Sequence, residues 1–249
     1  MKSQTRTRLI VASAGAAALA AVLGVGAVVG SNERDRYPVV SEQVQHYYDE
    51  QQAKGVVITQ APAIPLVSVI GDSYTAGSGE GGLKTANWVP QADTAVTSAT
   101  MVSKASGGSG YVNPGPKGRV FRDLIPESVK PTTDLVVFFG SRNDQRNAQE
   151  VRAAAEAAYA EARKIAPEAK LLVIGAPWVD AAVPESITAI NAALAEATAA
   201  AGGTFVDPVS ANWYIENPSL IGKDGVHPTD EGHAYTASKI APLITAALG

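Results

Sequence analysis

"VIGDSYTAGSGEGG", residues 69–82, ends an apolar run at Gly71, sets an acid and a hydroxyl side by side at Asp72 and Ser73, and then places glycines at 77, 79, 81 and 82. An apolar run that stops so abruptly reads as a buried strand entering a turn. Two chemistries suit such a turn. It can expose a nucleophile, or its backbone N–H groups can cradle an anion such as phosphate.

The same pattern recurs downstream. "LVSVI" (66–70), "ATMVS" (99–103), "DLVVFFG" (134–140), "KLLVIGAP" (170–177) and "GTFVDP" (203–208) are short apolar runs of the buried-strand type. Helix-forming stretches rich in Ala and Glu lie between or after the later ones, at 147–167 and 184–202, and a third helical stretch closes the chain at 229–249. Strands alternating with helices predict an α/β fold, a three-layer α/β/α sandwich with a mainly parallel central sheet of about five strands, flavodoxin-like in type. No internal repeat is visible. In such sheets ligands gather at the carboxyl ends of the strands, so the polar residues at those ends carry the functional reading.

The chain has 249 residues, of which 46% are hydrophobic and 18% charged, an ordinary globular composition for one main domain. Net charge is −4, with no Lys/Arg cluster outside the extreme N-terminus, which argues against nucleic acid as a partner. There are no cysteines, so no disulfide supports the fold. At the start, Lys2, Arg6 and Arg8 precede an uncharged apolar segment at 9–30. As a helix rising ~1.5 Å per residue it is long enough for a ~30 Å hydrocarbon core. Residues 1–30 are therefore expected to be a membrane anchor or a secretory signal peptide, with the rest of the chain extracytoplasmic under the positive-inside rule. Residues 31–65, polar with helical leanings and then broken by Gly55, Pro62 and Pro65, read as a stalk with a short helix. Residues 66–249 form the expected catalytic domain.

Three strand ends and one late loop hold the candidate chemistry. They are Gly71-Asp72-Ser73, then "SKASGGSGYVNPG" (103–115), "GSRNDQ" (140–145) and "KDGVHPTDEGH" (223–233). A serine hydroxyl is a poor nucleophile without a base in hydrogen-bond reach and a group to orient that base. Of three histidines, His46 falls in the stalk, leaving His227 and His233. Asp224, three residues before His227, can fold back onto its Nδ1–H and leave Nε2 for Ser73. Donors for an oxyanion exist in the backbone N–H groups of Ser73 and Gly108 and in the Asn143 side-chain amide.

These residues resemble the SGNH (GDSL-type) hydrolase family. Gly71-Asp72-Ser73-Tyr74 resembles its first block, Gly108 within "ASGGSG" its second, Asn143-Asp144 its third, and Asp224-Gly225-Val226-His227-Pro228 its last, in the family's order over residues 66–249. The resemblance implies Ser73 as nucleophile, His227 as base, Asp224 as the orienting acid, and Ser73, Gly108 and Asn143 as oxyanion donors. It implies an esterase or lipase working through an acyl-enzyme on lipid or acylated-carbohydrate esters, with no cofactor and no metal. Two features depart from the pattern. The third block is commonly Gly-x-Asn-Asp, whereas Gly140 stands one residue earlier here, which leaves the placement of Asn143 open and brings Arg142 forward as a group that could favour an acidic substrate. Gly107 and Gly108 are adjacent, so either could fill the second block.

Other roles compete for the same residues. Ser73 could simply cap a helix, as could Asn143 and Asp144. Asp224, His227, Asp230, Glu231 and His233 together could hold a metal. The phosphate reading of the first turn is weak, because no Gly-Lys-Ser/Thr follows and Glu80 stands where a phosphate would sit. Trp178, after the fourth strand, lies where a pocket wall belongs. The expected activity is an extracytoplasmic serine esterase. An acyltransferase with the same triad, and a binding module without catalysis, are the alternatives, and oligomeric state is left open.

Overall fold

The computed structural model describes residues 64–249 apart from Arg146, together with three isolated helical positions, His46, Glu50 and Ala53. The expected anchor at 9–30 and nearly all of the stalk at 31–65 lie outside the described residues. Among the described residues no helix is long and apolar enough to cross a membrane.

Five apolar runs become the strands β1 (Leu66–Gly71), β2 (Thr100–Ala105), β3 (Thr133–Phe139), β4 (Lys170–Ile174) and β5 (Thr204–Val206). They pair in the order β2-β1-β3-β4-β5, every pair parallel. Gly71 stands opposite Ala105 and Phe139, and Phe139 opposite Ile174, so these strands finish level with one another. The chain reverses direction across the sheet at β1 and β3, and that switch point is where an open α/β sheet leaves a crevice. Asp72 and Gly140 sit directly above it.

Among the described residues six α-helices flank the sheet: α1 (Ser73–Ala76), α2 (Trp88–Ala95), α3 (Phe121–Ser128), α4 (Ala148–Ile165), α5 (Glu185–Ala200) and α6 (Asp230–Leu248). Strand side chains alternate between two cores, as the period of two demands. Ile70, Val136, Phe138 and Val173 pack with Phe121 and Leu124 of α3, Val151 and Ala155 of α4, and Ile190 and Leu194 of α5. Val69, Val137, Phe139 and Ile174 face the other way, against Trp88 and Ala92 of α2 and Ile240 and Ile244 of α6. Phe138 and Phe139, neighbours in sequence on opposite faces, are both fully buried, and each such burial is worth about 1.5–3 kcal/mol. Helices on both faces of a parallel sheet make the expected three layers.

The helices expected at 147–167, 184–202 and 229–249 are α4, α5 and α6 with slightly trimmed ends. Helices α2 and α3 were not anticipated. Each has eight residues and a proline, Pro90 in the first turn of α2 and Pro126 inside α3, and proline reads as a breaker in sequence. In the first turn its missing N–H costs nothing, and the amphipathic burial of Phe121, Leu124 and Ile125 holds α3 together in spite of Pro126.

Candidate active site

Above the end of β1, Asp72 rather than Ser73 caps α1: its Oδ1 accepts the Tyr74 N–H at 2.9 Å. Ser73 becomes the first helical residue and its hydroxyl is spared that duty. Asp72 is completely buried, and burial pushes its carboxyl up to about 6 against the pull of the Tyr74 amide and the Ser141 hydroxyl. Its other oxygen, Oδ2, faces Ser141 Oγ at 2.8 Å and Asn143 Nδ2 at 3.3 Å. Ser141 Oγ stands equally close to the Ser109 carbonyl and also accepts the Asn143 N–H at 3.0 Å. Ser141 thus ties three strand-end loops together, a role its sequence position did not reveal.

The loop after β2 turns at Gly107-Gly108, closed by the Ser109 N–H donating to the Ser106 carbonyl at 3.1 Å. Gly108 has φ +77°, the left-handed conformation of the third residue of such a turn, and a Cβ there would also press on Pro116 Cδ at 2.8 Å. Gly107 is the member of the pair facing the first turn, since a Cβ built on it would lie 3.9 Å from Ser73 Cβ. Among the described residues no acceptor takes the backbone N–H of Ser73, Gly107 or Gly108. Three amide donors are therefore unspent on the two loops that Ser73 and Gly107 bring together.

The loop after β3 behaves differently. Asn143 Nδ2 donates to the Ser109 carbonyl at 2.9 Å as well as toward Asp72, so both amide hydrogens are engaged. Asp144 does not cap the following helix. It is fully buried and its carboxylate accepts the amides of Tyr111, Val112 and Asn113 at 2.6, 2.9 and 2.8 Å, holding the β2–α3 loop from below. The cap of α4 is Asn147, whose Oδ1 accepts the Gln149 N–H.

Asp224 and His227 meet as their spacing suggested. His227 Nδ1 lies 2.6 Å from Asp224 Oδ2, while Asp224 Oδ1 accepts the N–H groups of Val226 and His227 at 2.8 and 2.9 Å. One oxygen shapes the loop and the other orients the ring. Desolvation acts against the charge on Asp224, yet the hydrogen bonds from His227 and the two amides outweigh it and hold the carboxyl down at about 2. The loop is closed by Gly222 N–H donating to the His227 carbonyl at 2.8 Å.

Two contacts bring this loop to the Ser73 turn. Tyr74 OH donates to the Val226 carbonyl at 2.5 Å, and the Tyr74 ring centroid is 6.4 Å from that of His227. Glu80 Oε2 accepts the Lys223 N–H at 2.8 Å. No hydrogen bond joins Ser73 to His227 in this structure.

The competing metal cluster does not assemble among the described residues, where no three His, Cys, Asp or Glu side chains converge. Asp224 and His227 are bonded to each other. Asp230 and Glu231 occupy the first turn of α6 behind the Thr229 cap, and Asp230 Oδ1 accepts the Gly82 N–H at 2.8 Å. His233 is buried in α6 against Gly82, and burial pushes its imidazole down to about 4. Near the site, Arg142 lays its guanidinium over the Trp178 ring, 4.2 Å from the centroid.

Comparison with known proteins gives this geometry a lineage. Residues 69–235 match the model of the GDSL-like lipase/acylhydrolase family. A GDSL lipase of Mycobacterium tuberculosis is 47% identical over 188 residues, 72% of this chain and 81% of that one. Among solved structures, a carbohydrate esterase family 2 enzyme of Corynascus thermopiles (Myceliophthora fergusii) aligns with TM-score 0.60 at 22% identity, over 77% of this chain and 69% of the other. The phospholipase A1 of Streptomyces albidoflavus aligns with TM-score 0.54 at 16% identity, over 74% of this chain and all of its own. With the matched span running from β1 into α6, the chain belongs to the GDSL-like lipase/acylhydrolase family and is an ester-hydrolysing enzyme.

Proposed function

We propose that the protein is an extracytoplasmic serine esterase that cleaves O-acyl esters of lipids or acylated carbohydrates through Ser73, His227 and Asp224. The observation that carries this reading is the 2.6 Å bond between His227 Nδ1 and Asp224 Oδ2. It fixes the tautomer with hydrogen on Nδ1 and leaves Nε2 as a base. Tyr74, next to Ser73, meets the carbonyl of Val226, next to His227, so nucleophile and base sit in joined loops.

In this mechanism His227 Nε2 takes the Ser73 hydroxyl proton as Oγ bonds to the acyl carbon. The resulting oxyanion receives the unspent N–H groups of Ser73 and of Gly108, or of its neighbour Gly107. Asn143 joins them by exchanging its 3.3 Å contact with Asp72 for the oxyanion. Imidazolium then protonates the leaving alcohol, and the acyl-enzyme is resolved by water activated through the same base. Asp224, already ionised at about 2, stabilises the transient imidazolium throughout the pH range of ester hydrolysis.

The extracytoplasmic placement rests on the cationic residues Lys2, Arg6 and Arg8 followed by the apolar segment 9–30. The test is turnover of 4-nitrophenyl acetate and butyrate by the full chain, wild type beside Ser73→Ala, with fluorophosphonate labelling in parallel. Activity and labelling should vanish together in the variant. Absence of labelling in folded wild-type protein would overturn the triad, and transfer of the acyl group to an added alcohol in preference to water would make the enzyme a transferase.

A further inference from the structure

We propose that Arg142 is an anion-recognition residue at the mouth of this site and selects esters that carry a carboxylate or phosphate near the scissile bond. The proposal deepens the serine-esterase reading and rests on it.

The residue is held on both sides. Ser141 Oγ is tied to Asp72 and the Ser109 carbonyl, and the Asn143 amide to that same carbonyl, so the backbone at 142 is fixed and its side chain has a set direction. The guanidinium lies 4.2 Å over the Trp178 ring. It also sits beside the Tyr74 hydroxyl, where its charge opposes the burial that raises that phenol. Tyr74 OH has already given its hydrogen to Val226, one residue before the proposed base. The cation is thereby bracketed by the nucleophile turn, the base loop and the end of β4.

Other described arginines are satisfied within the fold. Arg119 pairs with Glu127, Arg152 with Glu156 and Glu196, and Arg163 donates to the Ala201 carbonyl. Arg142 has no carboxylate partner among the described residues, and its Nη1 is enclosed without an acceptor. Asp180, the acid beside Trp178, spends Oδ1 on Trp178 Nε1 and the Ala182 amide. A partly buried guanidinium without a counter-ion is costly, and ring stacking returns only part of that cost. The flat donor edge of a guanidinium matches two oxygens of a carboxylate or phosphate, which a neutral ester does not offer. A substrate anion supplies the missing counter-charge, from an acylated acidic sugar in the first case or a lysophospholipid in the second.

Two matched pairs of probes test the idea with the full chain. Monobutyryl glycerol 3-phosphate is compared with monobutyrin, and O-acetyl galacturonic acid with its methyl ester. Wild type should favour the anionic member of at least one pair by about tenfold in kcat/KM, with the preference shrinking as NaCl is raised. Arg142→Gln should remove that preference and Arg142→Lys should keep part of it. A preference confined to the phosphate pair identifies a lysophospholipid-type substrate, and one confined to the carboxylate pair an acidic sugar ester. The inference is overturned if wild type shows no charge preference in either pair, or if Arg142→Gln lowers both members equally and leaves the ratio intact, as a purely structural prop would. The ratio is independent of the triad: residual turnover in Ser73→Ala would sink the serine mechanism and leave the charge preference to be read by itself.

Discussion

The Glu80 carboxylate accepts a 2.8 Å hydrogen bond from the Lys223 amide, joining the glycine-rich turn after Ser73 to the loop that presents Asp224 and His227. Gly222 lies against the same side chain, so close that a Cβ on it would overlap Glu80. Under the proposed mechanism Glu80 is thus a positioning residue, which sets where the loop of Asp224 and His227 stands relative to Ser73.

Removing that tie should loosen the His227 loop more than the fold. Charge-assisted hydrogen bonds contribute about 1.5–3 kcal/mol, so Glu80→Ala should lower kcat by about tenfold or more, with KM for a small ester little changed. Glu80→Gln keeps an oxygen to accept the Lys223 N–H and should recover most of the rate. The kcat–KM split and the rescue by glutamine are the readouts. A uniform loss with both substitutions, matched by a fall in Tm, would assign Glu80 to stability alone.

Three titrating groups give stability a distinctive pH dependence. Asp72, raised to about 6 from an ordinary 3.8, binds its proton more tightly folded than unfolded, so its contribution falls as pH rises from about 4 to 6. His233, lowered to about 4 from 6.5, is neutral in the fold while unfolded chains protonate, so its contribution grows as pH rises from about 4 to 6.5. The two oppose each other in one window. Asp224, lowered to about 2, adds a contribution that is complete above about 4 and is lost as pH falls toward 2. Urea unfolding between pH 4.5 and 7 should therefore show a steeper rise of stability with pH in Asp72→Asn than in wild type. An unchanged slope would mean that Asp72 titrates alike in the folded and unfolded chains.

The strands that carry this site, and one contact within it, are legible in the sequence. Parallel strands buried on both faces must be largely apolar at consecutive positions, so β3 and β4 stand out as apolar runs and β1 as one interrupted only by the buried Ser68, and the Asp224–His227 contact lies within one loop where spacing alone suggests it. Contacts made between distant strand ends were hidden. Ser141 bonds Asp72 across 69 positions of sequence and Glu80 bonds Lys223 across 143, and neither has a local pattern to betray it. The assignment of the first helix cap was ambiguous for another reason: Asp72 and Ser73 are adjacent and both are good caps, so only the backbone conformation decides that Asp72 serves. Asn143 was expected to offer its amide to substrate, whereas its hydrogen bonds to Ser109 and Asp72 give it a prior structural duty.

The glycines of "GSGEGG" should differ sharply in what they tolerate. Gly82 has φ +74°, and a Cβ there would run into the His233 imidazole, which is buried in α6 and has no room to withdraw. Gly79 has ordinary backbone geometry and nothing within 4 Å of a Cβ. Left-handed strain costs about 1–3 kcal/mol and overpacking a similar amount, so Gly82→Ala should lose about 2–5 kcal/mol of stability. Gly79→Ala should stay within about 0.5 kcal/mol of wild type, as exposed substitutions without strain do. Denaturant midpoints for the two variants decide the matter. Equal, small effects would mean that this turn is bare only to keep the approach to Ser73 open, whereas the expected asymmetry would show that it is bare at 82 because the first turn of α6 is pressed against it, with the Gly82 N–H bonded to Asp230.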